Sequence, residues 1–79
     1  MLKEHLVARR YLKDCSLTEY NEIVTEAKIT PIDRQMLDAY ILKGTPEFRI
    51  AMDMGMSANC VQKHLCDCYK HVFKLISQL

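Results

Sequence analysis

Glycine and proline are scarce in this chain, two of each in 79 residues, which excludes a loop-dominated or low-complexity polypeptide. No uninterrupted apolar stretch is long enough to span a bilayer, so no membrane segment is expected. Met1–Asp14 carries charges throughout and lacks the apolar run of a secretory leader. Glycine-rich phosphate loops and paired carboxylates in an apolar setting are missing, so the expectation is that the chain is not an enzyme and holds no cofactor. Internal repeats and linkers are missing too. Net charge is almost absent, at +1.

The charge that is present is unevenly placed. Residues 1–14 have a balance of +2, residues 15–40 of −3 and residues 57–79 of +2. A basic surface for an acidic partner would therefore be local. Half of the residues (49%) are hydrophobic, enough for one small packed core and too many for a disordered chain. Three of the four cysteines (Cys60, Cys66, Cys68) fall in one helical segment, where spacings of two and six do not pair easily. Free thiols in a cytoplasmic protein are expected. Cys60, His64, Cys68 and His71 line one side of a helix, but ligands strung over three turns cannot converge on one ion, and no metal is expected.

Periodicity and capping signals predict five helices and no strand. The first covers about Leu2–Lys13, with Leu2, Leu6, Val7, Tyr11 and Leu12 as its apolar stripe. Ser16 and Glu19 form a capping box ahead of a second face of Leu17, Tyr20, Ile23, Val24 and Ala27. Thr30, Pro31 and Asp33 start a third helix with Met36, Leu37, Tyr40 and Ile41 inward, closed by Lys43–Gly44. Thr45 as cap and Pro46 at the first position start a short fourth helix, with Phe48, Ile50, Ala51 and Met54 inward. Gly55 breaks it. Ser57 caps a long fifth helix from Ala58, with Val61, Leu65, Cys68, Val72, Leu75 and Ile76 inward.

The stretch from Phe48 to Leu65 has the spacing of a helix-turn-helix. Such a unit needs a small residue where the second helix crosses the first, and Ala51 is there. It needs a residue tolerant of a left-handed backbone in the turn, and Gly55 follows four residues on. It needs an aliphatic anchor inside the second helix, and Val61 comes six residues later. The fold class expected is all-α, a small domain of about five helices containing a helix-turn-helix.

Residues 29–76 resemble region 4 of bacterial sigma factors. The resemblance rests on Ile29-Thr30-Pro31, Arg34, Met36-Leu37-Tyr40, Gly44, Ile50-Ala51, Gly55-Met56-Ser57 and Cys60-Val61. The stretch is also similar to the LuxR-type DNA-binding domain, where a histidine occupies the place of His64. The chain departs from the sigma pattern at Cys60, usually threonine, and at Gln62, usually lysine. The promoter-melting region is absent, so the resemblance implies a stand-alone regulator from a bacterium, phage or mobile element and not a complete sigma factor. It divides the chain into a helical extension over residues 1–28, for packing or partner contacts, and the resembling domain over 29–79.

With Val61 and Leu65 inward, Asn59, Gln62 and Lys63 face outward and are the candidate base readers, flanked by Ala58 and Cys60. Amide side chains pair with adenine edges, and lysine reaches guanine or phosphate. Ser57 at the helix start, with Thr45, Arg49 and His64, are candidate phosphate contacts. Arg9, Arg10 and Lys13 could add backbone contacts. The partner expected is duplex DNA, with RNA polymerase and a second copy of the chain as further candidates. A single module reads few base pairs, so useful specificity calls for a dimer or a bound partner. The competing expectation is an interaction module that docks on polymerase or another regulator and touches DNA weakly.

Overall fold

A computed structural model describes residues 2–78, which form five α-helices and no strand. They are α1 (Lys3–Asp14), α2 (Leu17–Glu26), α3 (Pro31–Ile41), α4 (Glu47–Met54) and α5 (Ala58–Ile76). The caps are chemical and local. Ser16 Oγ accepts from the Glu19 amide (3.2 Å), Thr30 Oγ1 from the Asp33 amide (3.3 Å) and Ser57 Oγ from the Cys60 amide (3.2 Å).

One apolar cluster holds all five helices together. Ala8 and Leu12 come from α1, Tyr20 and Val24 from α2, Met36 and Leu37 from α3, and Ile50 and Ala51 from α4. Helix α5 supplies Val61, Leu65, Cys68, Tyr69 and Val72, and is the axis on which the other helices pack. The radius of gyration is 11.7 Å, against about 12 Å expected for a single packed unit of this length. Residues 2–28 belong to that unit, because Ala8, Leu12, Tyr20, Val24 and Ala27 are in the same cluster as Val61 and Leu65.

Several positions differ from the sequence expectation. In α1 the inward residues are Ala8 and Leu12, while Leu2, Leu6 and Val7 stay exposed (65%, 44% and 42%). A helix stripe drawn through the largest side chains missed the small residue that lets α1 approach α5 closely. Leu17 is exposed at 61% for a related reason: α2 turns Tyr20 and Val24 inward, and Leu17 falls at its free first turn. In α4 the cap position is taken by Pro46, not Thr45, and no side chain caps the helix, which begins at Glu47. Phe48, expected inward, is 64% exposed, because Ile50, Ala51 and Met54 already fill the arc that faces α3 and α5.

Candidate nucleic-acid interface

The α4–α5 connection is built from three residues, Gly55, Met56 and Ser57. Gly55 adopts φ 67°, ψ 35°, a left-handed conformation that a residue with a Cβ reaches only at a cost. The Met56 amide then donates to the Ala51 carbonyl (3.0 Å), closing the end of α4. Ser57 is extended, its hydroxyl holds the Cys60 amide, and α5 starts at Ala58. Ala51 is 5% exposed and Val61 is fully buried, as the crossing of the two helices requires.

The first turn and a half of α5 is consequently fixed on its inner side and open on its outer side. Val61 and Leu65 are buried, while Ser57, Ala58, Asn59, Cys60, Gln62 and Lys63 are all exposed. The side chains of Asn59, Gln62 and Lys63 make no ion pair or hydrogen bond among the described residues. No acidic residue occupies this turn, and the α-helical dipole adds partial positive charge at the same end. The surface can donate and accept hydrogen bonds through two amides, one ammonium and the free backbone amides of the helix start.

The other sequence candidates have partners of their own within the fold. Arg49 is on the outer side of α4, where its Nε is 3.4 Å from Asp53 in a largely exposed pair. Thr45 is half-buried in the α3–α4 connection, its amide donating to the Ala39 carbonyl (2.9 Å). His64 is only partly exposed. Its Nδ1 lies 2.7 Å from Asp33 Oδ1, so the ring braces α5 against the start of α3. One turn further, the Cys68 thiol points at the Asp33 carbonyl oxygen (3.9 Å), and burial pushes that thiol up to about 12. Of the α1 cations, Arg9 donates to the Tyr40 hydroxyl (3.4 Å) and Lys13 stands 5.3 Å over the Tyr40 ring. Arg10 is exposed.

Lys70 and Lys74 belong to the +2 balance of residues 57–79 but are not among the candidate contacts. Both are exposed, seven and eleven residues beyond Lys63, a spacing that sets the three ammonium groups along the outer side of α5. That spacing was visible in the sequence. The Asp33 partner of His64, 31 positions away, was not.

No three or more His, Cys, Asp and Glu side chains gather around a common point among the described residues. Cys60 is exposed, Cys68 is buried, His64 is on Asp33, and His71 Nδ1 is 2.7 Å from the Asp67 carbonyl. Nor is any helix among them long and apolar enough to cross a membrane. No family model, curated protein or solved structure matches this chain.

Proposed function

We propose that this protein is a sequence-specific duplex-DNA-binding transcriptional regulator of the cytoplasm, with α4, Gly55–Ser57 and α5 acting as a helix-turn-helix. The observation that carries the reading is the start of α5, anchored by Val61 and Leu65 beneath and presenting unengaged Asn59, Gln62 and Lys63 above. In a major groove, Asn59 and Gln62 would offer the paired donor and acceptor that match adenine N7 and N6, and Lys63 would reach guanine or phosphate. The Ser57–Ala58 backbone and Arg49 would take phosphate oxygens beside the groove, once Arg49 leaves Asp53. The regulator would recruit or block RNA polymerase from its site.

The test is selection of binders from a random-sequence duplex library, followed by fluorescence anisotropy across a salt series. The reading expects a preferred sequence and binding that weakens as salt rises. Gln62→Ala should cost about 1–3 kcal/mol on the preferred sequence and relax selectivity at one base pair. Lys63→Ala, if it meets phosphate, should weaken all sequences alike and reduce the log–log salt slope by about 0.9. Weak binding with no preferred sequence, unchanged in both variants, would overturn the proposal.

A second reading draws on Phe48 and Met52, which are 64% and 71% exposed and one turn apart on α4. An apolar pair in that position suits a protein partner such as polymerase. Failure of the unmodified protein to select any preferred sequence in the test above would favour this module over the DNA reader.

A further inference from the structure

Helix α1 lies along α5 and not along α2, so an open groove runs between α1 and α2 on the outside of the molecule. Its floor is apolar and formed by Val7, Tyr11 and Ile23. Its two lips differ in sign. Arg10 stands on the α1 side, with Lys3 seven residues upstream in the same row, and both are exposed. Glu19, Glu22 and Glu26 stand on the α2 side, with Asp14 at the bend between the helices. Glu4 is in the first turn of α1, where a carboxylate answers the helix dipole.

An apolar strip with a basic lip and an acidic lip is complementary to itself after a half-turn. We infer that this groove is the interface of a two-fold homodimer, in which the Lys3–Arg10 row of each copy meets the Glu22–Glu26 lip of the other. A two-fold axis running along the strip places Val7 and Tyr11 of one copy against the same residues of its partner. The opposite charges then meet twice, and the antiparallel arrangement, with the axis across the strip, sets like against like and is disfavoured. Among the described residues, Lys3, Arg10, Glu22 and Glu26 make no ion pair or side-chain hydrogen bond within their own chain. Their charges are thus available to a second copy. Glu19 is not equivalent, since Ser16 Oγ lies 3.3 Å from its carboxylate in the α2 cap.

The experiment is sedimentation equilibrium of the full chain without DNA at low salt, from low micromolar to near-millimolar protein. The wild type should reach twice its 9.2 kDa chain mass. Lys3→Glu/Arg10→Glu and Glu22→Lys/Glu26→Lys should each self-associate about 100-fold more weakly, because like charges then face one another. Circular dichroism should show both still helical, the four positions being exposed. Mixing the two variants should restore the dimer, since every facing pair is again of opposite sign. A wild type that stays monomeric, variants that dimerise as well as wild type, or a mixture that stays monomeric would each overturn the assignment. None of these outcomes depends on whether the protein reads DNA.

Discussion

Cys68 and Asp33 show how single residues set the conditions under which this protein is stable. The thiol is 1% exposed, and its folded value near 12 compares with an ordinary value of 9.0, chiefly through desolvation and then through Asp33 and Asp67. Between those two values the unfolded chain gives up the proton and the folded chain keeps it. Stability should therefore be intact below about pH 9 and fall as the pH climbs towards 12. Tyr20 and Tyr69 act in the same sense at higher pH, since burial raises both hydroxyls, helped at Tyr20 by its 2.6 Å hydrogen bond to Asp38. Urea midpoints measured at rising alkaline pH should decline, and Cys68→Val should decline less steeply over the lower part of that range. Parallel curves for the two proteins would show that the thiol carries none of the effect.

At the scale of elements, the α4–α5 turn separates two contributions usually confounded. Nothing lies within 4 Å of where a Gly55 Cβ would stand, so Gly55→Ala meets no neighbour and is opposed only by its positive φ. It should cost about 1 kcal/mol in chemical denaturation, after allowing for the stiffer unfolded chain. Gly55→Asn should cost less, because asparagine tolerates the left-handed region. Equal losses in the two variants would mean that something other than backbone conformation opposes a side chain there. This turn was legible in the sequence because it is governed by local rules: Ala51, Gly55, Ser57 and Val61 each answer one geometric requirement within a few residues. The same locality made the caps at Ser16, Thr30 and Ser57 readable. It failed at Pro46, where a residue suited to the first helical position instead took the cap itself. It failed also in α1, where which of two arcs turns inward was decided by α5, more than forty positions away in the chain. The outward face of Asn59, Gln62 and Lys63 could be read from Val61 and Leu65, but the diversion of His64 to Asp33 could not, because no periodicity encodes a contact between distant helices.

For the whole molecule, the decisive feature is that one cluster includes residues of all five helices. The N-terminal 28 residues cannot then be removed as an appendage. A chain lacking residues 1–28 would strip Ala8, Leu12, Tyr20, Val24 and Ala27 from that cluster and leave α5 uncovered along one side. It should lose the cooperative thermal transition expected of the full chain, in calorimetry and in circular dichroism alike. A truncated protein with a sharp transition of its own would show that residues 29–79 are self-sufficient. The pairing of α1 with α5 also has a consequence in time. A ribosome delivers α1 before its main partner α5, so α1 must wait through the synthesis of everything between them. During that interval the newborn chain has Leu12 and Val24 but not Val61, Leu65 or Val72 to cover them, and collapse to the native arrangement is postponed until α5 has emerged. Birth order thus sets a delay that the finished fold no longer shows.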